Sequence, residues 1–131
     1  MNTNKNVLLF AYGTLMSGYG NNQYLRNQKL IGAGTTDEQY TMYASGIPFI
    51  NENKKTSQIH GELWEVEPKA LPYIDALEGH PNWYQRKQIP VTVNGIKYTA
   101  WLYFNDDNGG KIVEDGNFRT YTKQRNLQLN G

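Results

Sequence analysis

Val7-Leu8-Leu9-Phe10-Ala11-Tyr12-Gly13-Thr14-Leu15 begins as an unbroken apolar run and stops abruptly at a glycine. A run without alternation reads as a buried strand, so Val7 to Phe10 is expected to have both faces covered. Gly13 permits a tight reversal at the strand's end. Backbone N–H groups of the residues around it then turn toward one point, a concave nest that attracts a carboxylate or phosphate. The same residues also read as nothing more than a strand ending in a glycine turn.

A second stretch bears on the first. Ala70, Leu71, Ile74 and Leu77 recur at helical spacing. Pro72 lies too deep in that run if the helix starts at Pro68, so the regular part is expected to begin near Pro72. Gly79 reads as a left-handed C-cap, and Pro81 forbids continuation. Glu78 therefore falls in the last turn, where the negative end of the helix disfavours an ionised carboxylate. It is either a surface acid at a helix end or a base whose pKa is raised.

The remaining chain is mostly strand. Arg86 to Val93 alternates around Ile89, Val91 and Val93, Asn94-Gly95 is a strong hairpin signal, and Ile96 to Phe104 returns. Pro90 in the first arm points to an edge or a bulge. Ile59, Gly61 and Leu63 alternate with His60, Glu62 and Trp64, and Leu30 to Tyr43 reads as a bent, bulged strand interrupted by Gly32 and Gly34. Asn21 or Asn22 is expected to cap a short helix from Gln23 to about Lys29, with Tyr24 and Leu25 inward. Asn51 to Ser57 should be an exposed tip. From Asn105 onward the chain is polar; Ile112, Val113, Phe118 and Tyr121 are expected to dock, and the last residues to fray. Several strands with two short helices, one after the first strand and one before the hairpin, indicate an α+β fold.

Composition narrows the function. The 131 residues suffice for one domain, spanning 1–131 with a core at about 7–121 and polar termini. A chain of this size buries about two thirds of the surface its unfolded form exposes. There is no cysteine, so thiol nucleophiles, disulfides and thiolate metal sites are excluded together. A net charge of +1 leaves no basic stripe for a phosphate backbone, and nucleic acid is not an expected partner. The polar N-terminus and the short apolar run behind it give neither a signal-peptide core nor a membrane span, so a cytoplasmic protein that engages no membrane is expected. His60 and His80 are not at ligand spacing, and no metal site is expected. Ser17, Ser45 and Ser57 lack a nucleophile-elbow context. Gly13-Thr14 lacks the other residues of a phosphate loop.

Tyr12-Gly13-Thr14-Leu15, together with Glu78-Gly79 and the Tyr84-Gln85-Arg86 pattern, resembles the γ-glutamylcyclotransferase family, most closely its γ-glutamylamine cyclotransferase branch. The resemblance spans about Val7 to Phe104, with a looser echo at Gly116 to Tyr121. It implies a small mixed β-barrel flanked by short helices, with a pocket between the first-strand loop and the Glu78 helix. It also implies a γ-glutamyl amide or amino acid as substrate, whose free α-amine attacks its own γ-carbonyl to give 5-oxoproline and an amine. No cofactor and no obligate protein partner are implied. Under this resemblance Tyr12, Gly13, Thr14 and Leu15 hold the α-carboxylate and Glu78 moves the protons. Pro48, in a Gly-X-Pro segment that otherwise reads as an ordinary loop, lies beside the pocket. Tyr84 lines it or bonds the carbonyl oxygen, and Arg86 ties the loop to the fold. The alternatives are a non-catalytic module that captures a carboxylate-bearing ligand, and a cyclotransferase acting on a carrier-linked γ-glutamyl group.

Overall fold

The computed structural model describes residues 5–130, with side chains through residue 127. The first strand, β1 (Val7–Ala11), has a neighbour on each side: β4 (Ser57–Val66), antiparallel, and β6 (Ile96–Phe104), parallel. This is why it tolerates an unbroken apolar run; Leu9 and Phe10 are fully buried. β2 (Lys29–Ser45) lies beyond β4 and β5 (Gln85–Val93) beyond β6. Gly34 to Thr36 of β2 then pair with Val91 to Val93 of β5, which closes a five-stranded mixed barrel. Closure demands close backbone approach: a Cβ on Gly34 would strike the Thr92 carbonyl.

The register of β2 against β4 shifts between Leu30 and Gly32 and again between Thr35 and Gln39. Such irregularities bend a strand. The far end of β2 thereby leaves the barrel and pairs with β3 (Ile47–Asn51) and with β7 (Lys111–Val113). The β5–β6 hairpin keeps an unbroken register from Gln85↔Phe104 to Val93↔Ile96. Its turn residues Asn94 (φ 53°) and Gly95 (φ 78°) are both left-handed, the geometry that matches strand twist. Pro90 sits just outside the β2–β5 pairing, at an edge where a ladder accepts a proline.

A 3-10 turn, Pro68–Ala70, leads into α1 (Leu71–Glu78), which has Pro72 at its start and ends on left-handed Gly79 (φ 67°). Three expectations need correction. The helix after β1 is a 3-10 segment over Gly20–Leu25, because β2 already begins at Lys29; Tyr24 is 38% exposed, not inward, although Leu25 is buried. Asn51 is not part of the exposed tip but ends β3 at 8% exposure, with its side chain bonded to the Asn53 N–H (2.8 Å) and the Asp106 carbonyl (3.3 Å). Finally, the C-terminal segment contains α2 (Phe118–Asn130), which periodicity did not give. Its apolar stripe is narrow, with Phe118 buried and stacked on Tyr121 (5.6 Å) and near Tyr19 (5.5 Å). Asn117 caps it, its Oδ1 accepting the Arg119 N–H at 3.0 Å. Of the tail expected to fray, Gly131 lies outside the described residues, as do residues 1–4 of the polar N-terminus.

Candidate active site

Residues 12–15, which follow β1, form one wall of a cavity of about 230 Å³ at an end of the barrel. The start of β3 adds Ile47 and Pro48, the end of α1 adds Leu77 and Glu78, the next loop adds Trp83 and Tyr84, and β6 adds Tyr103. Tyr12, Gly13, Thr14, Leu15, Pro48, Glu78 and Tyr84 therefore meet around one space, although the chain separates them widely. Arg86 does not line it.

Gly13 owes its place to something other than a reversal. It does not have a positive φ; instead a Cβ on it would lie 2.7 Å from Cγ of Pro48. Only a residue without a side chain lets the loop and the start of β3 come this close. The loop is braced from the 3-10 segment as well. Asn21 Nδ2 donates to Thr14 Oγ1 and Asn22 Nδ2 to the Leu15 carbonyl, each at 2.8 Å, so these asparagines hold the loop rather than cap a helix. The Met16 N–H donates to the Gly13 carbonyl (3.0 Å) and the Ser17 N–H to Glu62 Oε1 (2.8 Å). Among the described residues, the N–H groups of Gly13, Thr14 and Leu15 donate to no protein acceptor.

Two buried phenols stiffen the cavity from both sides. Tyr84 donates to the Pro48 carbonyl at 2.8 Å and stacks on Phe49, with centroids 5.7 Å apart. Tyr12 donates to the Tyr103 carbonyl at 2.6 Å. Burial, followed by nearby Glu78 among other groups, pushes both phenols up from their ordinary value, so they stay protonated. Each proton is committed to a backbone carbonyl. In this geometry Tyr84 braces the turn and offers the cavity no donor for a carbonyl oxygen.

Glu78 differs from these groups. Burial raises its carboxyl to about 7, and no hydrogen bond or neighbouring charge among the described residues offsets that burial. A carboxyl poised near neutrality can both take and return a proton. α1 is in turn anchored behind the cavity. Asp75, one turn before Glu78, accepts two hydrogen bonds from Arg86 (2.8 and 3.1 Å) and one from the Tyr103 hydroxyl (2.6 Å). Burial alone would raise Asp75, but these bonds outweigh it and hold the carboxyl below its ordinary value. The Arg86 guanidinium also lies over Trp101, 4.3 Å from the ring centre. Arg86 thus acts on the cavity only through the helix and through Tyr103.

Asn21, Tyr103, Trp83, Ile47 and Leu77 line the cavity although the sequence reading did not place them there. Asn21 carried the polar signal of a cap, but its target was invisible; Tyr103 is one more aromatic in a hairpin arm. Among the described residues no cluster of three His, Asp or Glu side chains could hold a metal ion, and no helix is long and apolar enough to cross a membrane.

Over residues 9–120 the chain matches the family described as gamma-glutamyl cyclotransferase, AIG2-like. It belongs to that family. A relative from Methanocaldococcus jannaschii, provisionally named a gamma-glutamylcyclotransferase, is 45% identical over 115 residues, covering 86% of this chain and 96% of the relative. A Danio rerio protein named gamma-glutamylaminecyclotransferase C is 32% identical over 94 residues, 65% of this chain and 62% of its own length. The crystal structure of an AIG2-like protein from Mus musculus superposes with a TM-score of 0.69 at 25% identity, covering 77% of this chain and 78% of that one. The mixed barrel with few short helices is the fold of this γ-glutamyl cyclotransferase family.

Proposed function

We propose that the chain cleaves γ-glutamyl amides to 5-oxoproline and a free amine, with Glu78 as the group that carries the protons. One observation carries the reading: Glu78 lines the same cavity as the Tyr12 to Leu15 loop. The cavity is smaller than the roughly 300–1,000 Å³ of sites for drug-sized ligands, which suits an amino-acid-sized group. The amides of Gly13, Thr14 and Leu15, free of protein acceptors among the described residues, receive the glutamyl α-carboxylate. Asn21 occupies a lone pair of Thr14 Oγ1 and leaves its proton free to point at the same anion.

Ionised Glu78 takes a proton from the α-ammonium, whose nitrogen then attacks the γ-carbonyl carbon. A new C–N bond closes the five-membered ring. Glu78 returns the proton to the departing nitrogen as the original amide C–N bond breaks, and the second proton on the ring nitrogen passes to the released amine, which leaves as its ammonium. Since nucleophile and electrophile sit in one molecule, folding it correctly supplies much of the rate, and the chain needs no nucleophile of its own. The test is incubation with γ-glutamyl amides and detection of 5-oxoproline. Glu78→Gln should lower turnover by about two to four powers of ten while the protein stays folded; unchanged release in that variant refutes the role of Glu78.

A further inference from the structure

We infer that Arg119 and Tyr121 of α2 are positioning residues for the cavity, setting how the Tyr12 to Leu15 loop sits against Pro48. The inference rests on the site proposed above, in which that loop receives the α-carboxylate. α2 reaches the chain on both sides of the Gly13–Pro48 contact. On the loop side, Arg119 donates to the Ser17 carbonyl at 2.8 Å and to Glu62 Oε2 at 3.3 Å, while Glu62 Oε1 takes the Ser17 N–H at 2.8 Å. One ion pair thus grips both backbone groups of Ser17, just past Leu15. The Arg119 guanidinium also lies over Tyr19, 5.2 Å from the ring centre, and the Tyr19 hydroxyl meets Thr122 Oγ1 at 2.7 Å. Thr122 spends its own proton on the Arg119 carbonyl (3.1 Å), so Tyr19 is the donor.

On the other side, Tyr121 Oη accepts the N–H of Gly46 at 2.9 Å. Gly46 is the left-handed residue (φ 82°) between β2 and β3, and Ile47 and Pro48 follow it directly into the cavity wall. Tyr121 is steadied for this by its stack on buried Phe118, whose ring also meets Tyr19. Residues 119–122 of α2 therefore bond to both segments that come together at Gly13 and Pro48. A Cβ on Gly13 would lie 2.7 Å from the Pro48 ring, so that contact has no slack inward and changes only if one segment moves outward. Arg119 and Tyr121 oppose that movement.

The experiment uses Tyr121→Phe, which keeps the stack and removes the acceptor of the Gly46 N–H, and Arg119→Gln, which breaks the ion pair. Gln124→Gly, at an exposed position of the same helix, is the comparison for loss of helix stability alone. In proton–nitrogen NMR spectra the amide signals of Gly13, Thr14 and Leu15 should shift in the first two variants and stay in place in the third. KM for a γ-glutamyl amide should rise about fivefold in each of the first two, the worth of one neutral hydrogen bond, with kcat nearly unchanged because Glu78 stands on α1. A merely structural role would lower the urea midpoint of all three variants and leave KM alone. Loop signals that stay in place, a parent-like KM, or equal changes in Gln124→Gly overturn the inference and leave the reaction standing. If the parent protein releases no 5-oxoproline the reaction falls, and the loop signals by themselves then decide for or against α2.

Discussion

Glu78→Gln should stabilise the folded protein at alkaline pH by an amount that follows from its burial. The carboxyl moves from its ordinary 4.5 to about 7 on folding, and at about 1.4 kcal/mol per pH unit that difference is worth about 3 kcal/mol. The sign is set by proton binding. Between these two values the folded chain holds a proton that the unfolded chain releases, so stability is fully present below 4.5 and falls as pH rises through 7. Glutamine mimics the protonated form and escapes this loss. Calorimetry at pH 4.5 and at pH 8.5 reads the effect. The two proteins should melt together in acid, and the variant should melt about 10 °C higher in base, at roughly 3–4 °C per kcal/mol for a domain of this size. All other titrations are shared and cancel in the difference. A gap that does not change with pH, or no gap at all, refutes a buried carboxyl with a raised pKa. The same ionisation should appear in turnover: kcat/KM of the parent protein should climb with pH and level off above about 7, because only the ionised carboxyl can take the proton.

Gly13→Val should push the loop off Pro48 and raise KM for γ-glutamyl amides at least tenfold, the overpacking costing about 1–3 kcal/mol; a parent-like KM would remove the contact from the account. Tyr84→Phe should leave the Pro48 carbonyl without its partner and cost about 1–3 kcal/mol, visible as a lower urea midpoint with an unchanged slope. Arg86→Lys should lose the two-pronged hold on Asp75 and cost about 1.5–3 kcal/mol at pH 7. Asp75 is held below its ordinary value, so its contribution is present above that value and vanishes as pH falls through the lowered one. Urea midpoints of parent and Arg86→Lys should therefore converge in strong acid.

Local signals carried the strands and α1, because their rules act over a few neighbouring residues. The Asn94-Gly95 turn, the left-handed Gly79 and the unbroken run of β1 each state their own geometry. Two things were out of reach. Barrel closure depends on β2 meeting β5, a pairing in which Gly34 reads as a strand breaker until its neighbour Thr92 is known. α2 has a polar sequence whose few apolar residues make sense only against Tyr19. The site divides in the same way. The motif residues Tyr12 to Leu15 and Glu78 were visible through the resemblance, but Asn21 and Tyr103 act through side chains outside their own elements, Thr14 in the loop for one and Asp75 in α1 for the other. Gly13 was noticed for the wrong physical reason, since its requirement comes from a proline on another strand.

The meeting of Gly13 with the Pro48 ring makes the site behave as a vice with one fixed and one sliding jaw. Nothing can be trimmed from a residue that has no side chain, and any outward shift of the proline drags the carbonyl that Tyr84 grips. Enlargement has to come from Ile47 and Trp83, whose side chains already face outward and have room to change. Under the proposed reaction, an engineer seeking new amides would leave the loop and Pro48 alone and vary those two positions.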